Sequence, residues 1–250
     1  MARDVLIAPS VLGADPLFVG AAVDALAGGY DWLHLDIMDG RFVRNLSFGP
    51  DMAEALRRRY PKAFLDVHLM LGDPDAFVSA FIRAGASQVT VHAEAEPQLL
   101  YGRLLKIREE GARAGVVIAP ATAVEQVRFV LPVVDVVLVM SVTPGFGGQP
   151  LIESALEKAR DLARLRSVEN YRYLIQMDGG VRLENAARAA AAGVDVLVIG
   201  SALFGSSDPA EYLARTREEI HKNGVRGLRR IPCDEKGDIC QCPLPIEKKP

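Results

Sequence analysis

The chain has 250 residues, of which half are hydrophobic and 24% are charged, and its formal net charge is −3. This length and composition fit one large globular domain or two small ones, and they exclude a chain too polar to bury a core. The small negative charge argues against nucleic acid as the main partner, and no apolar run is long enough to cross a bilayer. We therefore predict a protein with neither a nucleic-acid nor a membrane partner.

The beginning of the chain and the cysteines bear on the compartment. The apolar run Val5–Ala8 stops at Pro9 and has no cleavage-type flank, so we expect no secretory signal. All three cysteines lie near the carboxyl terminus, at Cys233, Cys240 and Cys242. The main body therefore cannot hold a disulfide framework, and we predict a cytoplasmic protein.

Short apolar, β-branched runs alternate along the chain with longer helical patterns. Each run is nearly continuous in apolar residues, which is typical of strands that are buried on both faces. The predicted strands are Val5–Ala8, Trp32–Asp36, Phe64–Leu69, Gln88–His92, Gly115–Ile118, Val136–Met140, Tyr173–Met177 and Val196–Ile199.

Helical patterns fill the gaps between these runs. An acidic residue precedes a proline at Asp15, Asp73, Glu96 and Asp208, which favours a helix start because the acid can cap the first turn and proline suits the first position. Glycines mark several helix ends. The predicted helices are Pro16–Ala27, Pro50–Arg59, Pro74–Ala84, Pro97–Glu110, Thr122–Val130, Leu151–Ser167, Leu183–Ala192 and Pro209–His221.

Eight strand–helix units are the number that closes a parallel sheet into a (β/α)8 TIM barrel. A doubly wound open sheet is the alternative. We predict one α/β barrel domain over residues 1–221 and a C-terminal extension over residues 222–250. The extension is either a solvent-exposed or loosely docked segment, or a small metal or redox site at its three cysteines.

Ionisable residues gather at the carboxyl ends of the predicted strands, where such barrels carry their active sites. Because side chains alternate along a strand, His34 and Asp36 share the face opposite Leu35. His68 ends the next strand and Asp178 follows the seventh. Two imidazoles and two carboxylates suit one divalent ion such as zinc, iron, manganese or cobalt. A hydrogen-bonded structural role is the alternative for each residue taken alone.

Asp36 and Asp178 come from opposite sides of the predicted barrel mouth. A substrate carbon between them would face one carboxylate on each side, which is the arrangement for removing a proton from one face and returning a proton to the other. A metal ion beside them would stabilise the charge of the enediolate. Met38, Met70 and Met140 point the same way and could cap this centre without competing for protons, with core filling as the alternative.

Glycine-rich segments follow the last three predicted strands. Loops in this position often bind phosphate through backbone N–H groups, and glycine permits the close approach. Tight turns are the alternative for each segment taken alone. Since no lysine or arginine lies inside these segments, we expect amide dipoles to meet the charge. The segments are Val142–Gln149, with Gly145, Phe146, Gly147 and Gly148, then Asp178–Gly180 with Gly179, and Gly200–Ser201.

Five segments together carry a specific pattern: Ile7–Ser10, His34–Asn45, Asp66–Met70, Val139–Gln149 and Asp178–Val181. The pattern resembles the ribulose-phosphate 3-epimerase family, and the match runs from about residue 4 to about residue 220. The resemblance implies a (β/α)8 barrel that interconverts D-ribulose 5-phosphate and D-xylulose 5-phosphate, a reaction of the pentose phosphate pathway, with one divalent metal ion.

The resemblance also implies roles for individual residues. It gives His34, Asp36, His68 and Asp178 as metal ligands, with Asp36 as proton acceptor and Asp178 as proton donor. It gives the substrate contacts as Ser10, His68, Gly145 to Gly148, Asp178 to Gly180, and Gly200 with Ser201.

Arg44 is the departure from the family pattern that lies nearest the mouth, where proline is usual. It is either a solvated loop charge or a change in substrate preference, so the same chemistry on allulose 6-phosphate is an alternative function. A non-catalytic phosphosugar-binding barrel is a second alternative. Because the family forms dimers and larger symmetric assemblies, we expect a homo-oligomer.

Overall fold

Eight parallel strands close into a barrel in the computed structural model, which describes residues 5–223. The order around the sheet is β1-β8-β7-β6-β5-β4-β3-β2, and a parallel bridge between Ser10 and His34 joins the two end strands. The predicted (β/α)8 barrel is confirmed, and the open sheet was the wrong alternative. The strands are β1 (Leu6–Pro9), β2 (Trp32–Met38), β3 (Phe64–Met70), β4 (Gln88–His92), β5 (Arg113–Ile118), β6 (Val136–Met140), β7 (Leu174–Asp178) and β8 (Val196–Ile199).

Within residues 5–223, an α-helix follows every strand except β5, and two helices follow β8. They are α1 (Val19–Asp24), α2 (Pro50–Arg59), α3 (Val78–Arg83), α4 (Leu100–Glu109), α5 (Ser154–Val168), α6 (Leu183–Ala191), α7 (Ser201–Phe204) and α8 (Pro209–Lys222). Within residues 5–223, no helix combines the length and the apolar character that crossing a membrane requires. The predicted extension with its three cysteines lies outside the described residues, so the domain boundary near residue 221 stays a prediction.

The predicted helix Thr122–Val130 is wrong. The connection between β5 and β6 contains two 3₁₀ turns instead, Val124–Val127 and Leu131–Val133. The segment is rich in β-branched valine, which loses side-chain freedom in a helix, and Pro132 disfavours the α conformation at the residue before it. A 3₁₀ turn suits such a short connection.

The acidic residues before proline behave less uniformly than predicted. Only Asp208 caps a helix, accepting the N–H of Glu211 at 2.9 Å. Pro74 and Pro97 open 3₁₀ turns, and α3 and α4 begin a few residues later. Glu96 has a φ of 51°, so its backbone turns away from the cap geometry.

Two apolar layers flank the strands. Leu33, Leu35 and Ile37 of β2 join the large core between the barrel and its helices, as the alternation predicted. The opposite face of the sheet points into the barrel, where Trp32 stacks on Phe64 at 4.5 Å between ring centroids. Together with residues of β1, β6, β7 and β8, Trp32 fills the amino-terminal end of the interior. The polar residues of the interior are therefore left to the opposite end.

The residue immediately before each even-numbered strand has a polar side chain. That side chain accepts a hydrogen bond from the backbone of the preceding odd-numbered strand. We call these four contacts the stitches. Their acceptors take backbone N–H groups near the start of the preceding strand: Asp31 from Ile7 at 2.8 Å, Ser87 from Leu65 at 3.2 Å, Asp135 from Ala114 at 2.9 Å and Asp195 from Ile175 at 2.8 Å. The stitches fix the base of the barrel, which is the end that supports stability rather than chemistry.

Candidate active site

A cavity of about 270 Å³ opens at the carboxyl ends of the strands. Its wall draws on the ends of β1, β2, β3, β6, β7 and β8. Most of the residues predicted for the site lie on this wall: Ser10, Asp36, Met38, Met70, Met140, Gly145, Phe146, Gly147, Gly148, Asp178, Gly179, Gly180, Gly200 and Ser201. His34 and His68 are fully buried behind the wall, so His68 does not reach the cavity directly in the described part of the chain.

Four side chains at the cavity wall and directly behind it could hold one metal ion. His34, Asp36, His68 and Asp178 each offer a nitrogen or oxygen atom, and these atoms all lie within 4.8 Å of one another. Three of the four residues are buried and Asp178 is partly exposed. Strand register explains the cluster, because Asp36 pairs with His68 across β2 and β3. Asp178 completes it from the end of β7.

The contacts of His34 test whether these residues suit a cation. Its Nδ1 lies 2.7 Å from Asp66 Oδ2, so that nitrogen carries the proton that the carboxylate accepts. The lone pair on Nε2 then faces Asp36 Oδ1 at 3.3 Å. A nitrogen lone pair and a carboxylate oxygen both need a positive charge between them, which a metal ion or a proton supplies. The donor set therefore fits a divalent ion.

Asp66 is the outer support of this arrangement. It is fully buried, and its other partners are the side-chain amides of Gln88, at 2.7 Å, and Gln176. A buried carboxylate is tolerated when such donors satisfy it. These contacts hold His34 in one orientation.

Asp36 is held from two sides. Ser10 Oγ donates to its Oδ2 at 2.5 Å, and His68 Nδ1 lies 3.2 Å from its Oδ1. The hydroxyl of Ser47 binds the backbone carbonyl of Asp36 at 2.5 Å and accepts the N–H of Met38 at 3.0 Å. The carboxylate is thus fixed where it meets the cavity.

The two aspartates differ in their proton affinity. Burial raises the pKa of Asp178 to about 7, and the nearby charge of Asp36 acts in the same direction. Burial would also raise the pKa of Asp36, but the charges and hydrogen bonds of His34 and His68 outweigh it and hold that pKa far below its usual range. Asp36 therefore favours the charged form, whereas Asp178 can hold a proton near neutral pH.

The pKa values of His34 and His68 are shifted in opposite directions. Burial alone would lower the pKa of His34, but Asp36 and Asp66 outweigh it and raise that pKa well above its usual range. For His68, burial dominates and lowers the pKa.

The three methionines lie both in apolar clusters and on the wall of the cavity. Met38 and Met70 pack with Val43, and Met140 packs in a separate apolar cluster that includes Val142. All three also line the cavity. They surround the carboxylates with apolar surface, and their capping of a reaction intermediate stays a prediction.

The glycine loops form the other half of the wall. Gly179 and Gly180 have φ values of 110° and 65°, which favour glycine. A Cβ on Gly180 would lie 2.4 Å from the backbone nitrogen of Leu151, so the turn after β7 lies directly against the end of the loop after β6. Ser141 fastens the same turn by donating to the carbonyls of Asp178, at 2.9 Å, and Gly179, at 2.6 Å.

Gly180→Ala should therefore damage the cavity selectively. The added methyl must displace Leu151 and also sits at a positive φ, a strain of about 1–3 kcal/mol. We expect KM for the phosphorylated substrate to rise roughly tenfold or more, since 1.4 kcal/mol corresponds to tenfold. Gly102→Ala is the control because nothing lies within 4 Å of its Cβ position. Equal KM values for the wild type and Gly180→Ala would contradict the expectation.

Sequence reasoning missed several residues of the site. Gly13 and Arg182 line the cavity, and Arg182 adds a cation to a wall that we expected to offer only amide dipoles. Its position two residues after Gly180 was the available signal. Asp66 and His92 were also missed, although each shares the interior face of its strand with other polar residues, which is the rule that identified Asp36.

A (β/α)8 barrel with acid–base residues at the carboxyl ends of its strands defines the class of protein: a barrel enzyme. The model of the ribulose-phosphate 3 epimerase family matches residues 6–204. The chain belongs to that family.

Curated relatives agree with this assignment. The chain is 44% identical over 212 residues to "Ribulose-5-phosphate-3-epimerase, chloroplastic" of Arabidopsis thaliana, covering 84% of this chain and 75% of the relative. It is 41% identical over 220 residues to "Ribulose-phosphate 3-epimerase" of a Synechocystis strain, covering 87% of this chain and 95% of the relative.

A solved structure supports the fold alone. The structure of 3-keto-L-gulonate-6-phosphate decarboxylase from Vibrio cholerae matches with a TM-score of 0.66 and 15% identity. The match covers 89% of this chain and all of the other.

Proposed function

We propose that this protein interconverts D-ribulose 5-phosphate and D-xylulose 5-phosphate by inverting the configuration at C3. The observation that carries the proposal is that Asp36 of β2 and Asp178 of β7 line one cavity and share one cluster of ligand atoms with two histidines. The substrate named for the relatives supports the choice of sugar.

The proton chemistry follows from the two carboxylates. Asp36 takes the proton from C3, and the electron pair of the C–H bond moves toward C2 to give a planar enediolate. Asp178 delivers a proton to C3 from the opposite face, so the configuration inverts. After one turnover Asp36 is protonated and Asp178 is charged, which readies the site for the reverse reaction.

The residues around the pair keep this transfer specific. Ser10 donates to Asp36 Oδ2 and so orients the carboxylate that removes the proton. Met38, Met70 and Met140 line the cavity with thioethers, which offer no competing proton. The fixed orientation of Asp36 and the absence of acidic protons on the thioethers both favour proton transfer between the aspartates and C3.

His34, Asp36, His68 and Asp178 would hold the metal ion. When bound, a divalent ion supplies positive charge beside the substrate's oxygens, and this lowers the free energy of the negative charge that develops as C3 loses its proton. Zinc, iron, manganese and cobalt all suit the ligand set.

We assign the phosphate group of the substrate to the half of the cavity wall that the glycine loops form. Gly179, Gly180 and Ser201 line this side, where backbone N–H groups can approach an anion closely, and Arg182 adds a positive charge to the wall. Arg44, which raised the hexulose alternative, is exposed and lies outside the cavity wall. This position favours the pentose phosphate over allulose 6-phosphate, and a comparison of kcat/KM for the two sugars tests the preference.

Solvent exchange tests the two-base mechanism. When D-ribulose 5-phosphate is converted in deuterated water, the D-xylulose 5-phosphate formed should carry solvent deuterium at C3, because the proton delivered by Asp178 comes from water. Mass spectrometry and proton NMR of the product measure it. An active preparation that yields product with only protium at C3 would contradict the mechanism, and an inactive preparation with metal bound would support the non-catalytic alternative.

We also propose a homo-oligomer that acts in the cytoplasm. The expectation on assembly comes from the family and the one on compartment from the sequence, while one relative is named chloroplastic. Light scattering during size-exclusion chromatography measures the assembly, and fluorescence microscopy of the tagged protein in its own cells measures the compartment.

A further inference from the structure

Two residues outside the cavity form a second layer behind His68. His92 is the last residue of β4 and is fully buried, and its Nε2 lies 3.0 Å from His68 Nε2. Its Nδ1 lies 3.0 Å from Oε2 of Glu94. The two imidazole rings stack with centroids 5.1 Å apart and planes inclined by 26°. Neither His92 nor Glu94 is on the cavity wall, so any effect they have on the reaction passes through His68.

Glu94 is fixed by the loop after β5. Its Oε1 accepts the backbone N–H of Ala119 at 2.8 Å and the hydroxyl of Thr122. The ammonium of Lys158 holds this loop by donating to the carbonyls of Ala119, at 2.8 Å, and Thr122, at 2.7 Å, as well as Pro120. With Oε1 occupied by two donors, Oε2 is the oxygen that faces His92.

The direction of the hydrogen bonds follows from this anchor. A carboxylate only accepts, so His92 must donate from Nδ1, and its Nε2 then carries a lone pair. That lone pair accepts the proton on His68 Nε2. His68 is left with its own lone pair on Nδ1, which faces Asp36 Oδ1 at 3.2 Å and Asp178 Oδ2 at 3.9 Å. This is the nitrogen that a metal ion in the cluster would use.

We propose that His92 and Glu94 are positioning residues that hold His68 in the tautomer able to bind metal, and that they thereby set the metal affinity of the site. The inference rests on the proposed metal site. Asp66 performs the same task for His34 by a single direct contact of 2.7 Å. Glu94 acts on His68 in two steps, through the imidazole of His92. Outer partners of this kind typically change metal affinity by roughly 10- to 100-fold.

Glu94→Gln is the sharpest test. The N–H of Ala119 requires an acceptor at the Oε1 position, so the amide of the glutamine turns its NH₂ toward His92. His92 must then accept at Nδ1 and donate from Nε2, and His68 must accept at Nε2 and carry its proton on Nδ1. The substitution keeps the size of the side chain and reverses two hydrogen bonds, the one between residue 94 and His92 and the one between His92 and His68. Glu125→Gln is the matched control, because Glu125 is exposed in the same connection between β5 and β6.

Two measurements test the effect of Glu94→Gln, one on the tautomer of His68 and one on the affinity for metal. Long-range ¹H–¹⁵N correlation of the metal-free protein reports which nitrogen of each imidazole is protonated, and the sequence has only four histidines to assign. We expect the proton of His68 on Nε2 in the wild type and in Glu125→Gln, and on Nδ1 in Glu94→Gln. Competition of Co²⁺ with a chromophoric chelator should show roughly 10- to 100-fold weaker binding in Glu94→Gln alone.

His92 supplies a second comparison if Glu94→Gln does not fold. The amide of His92→Gln can donate to Glu94 and accept from His68, whereas His92→Leu can do neither. We expect His92→Gln to bind Co²⁺ more tightly than His92→Leu. The proposal is overturned if His68 carries its proton on Nδ1 in the wild type, or if Glu94→Gln binds Co²⁺ as the wild type does. The tautomer readout needs neither substrate nor metal, so a failure of the proposed function would be seen separately as a lack of turnover.

Discussion

Asp36→Asn and Asp178→Asn should each lower kcat by about 10²- to 10⁴-fold, the usual contribution of a positioned acid or base. The amide has nearly the same shape as the carboxylate but cannot take up or deliver the C3 proton. Steady-state assays on D-ribulose 5-phosphate measure the loss. Asp161→Asn is the control, because that carboxylate is exposed on α5 and lies outside the cavity wall.

The two variants should exchange the C3 proton of opposite epimers with solvent. With only one functional carboxylate, each variant can remove and return a proton on one face of the sugar. Each should therefore exchange the C3 proton of one epimer in deuterated water without inverting it. Because both aspartates are also candidate ligands, metal content must be measured beside activity. Inversion at the wild-type rate in either variant would contradict the two-base mechanism.

Removal of divalent metal should have the second large effect. We expect chelation to lower kcat by at least about 100-fold, since stabilising developing charge at a carbonyl is worth several kcal/mol. Re-addition of zinc, iron, manganese or cobalt one at a time should restore activity with the ions that the site accepts. Full activity in protein shown by elemental analysis to lack metal would contradict the expectation.

Stability offers an independent measure of metal binding. An ion that binds only the folded state at 100 times its Kd adds about 2.7 kcal/mol to the free energy of unfolding. Tm of the wild type should therefore rise with metal, while His34→Gln should show a smaller rise because one ligand is lost. A common rise in both proteins would assign the binding to another part of the molecule.

Local alternation made the centre of the site predictable. Asp36 and His34 are two residues apart on one strand, so their common face follows from the sequence alone. The partners of these residues do not follow from it. Asp66 meets His34, and His92 meets His68, because of the register between neighbouring strands, with His34 opposite Asp66 and His68 opposite Thr90. Barrel closure sets that register, and no short segment encodes it.

The failures at the helices have a different cause. The pattern of valines at Val124, Val127 and Val130 has helical spacing, but β-branched residues and Pro132 favour shorter turns there. Glu96 precedes a proline as a helix cap does, yet its carboxylate binds Arg103 at 3.1 Å. In both places a tertiary contact or a local steric effect outweighs the pattern.

The stitches divide the barrel into four consecutive strand pairs, β1–β2, β3–β4, β5–β6 and β7–β8. Each pair is closed by a contact within one continuous piece of chain, so a cut between pairs separates no acceptor from the amide that it binds. A cut inside a pair does separate them. We therefore expect the connections between pairs, β2–β3, β4–β5 and β6–β7, to be better sites for circular permutation or for division into fragments than the connections within a pair.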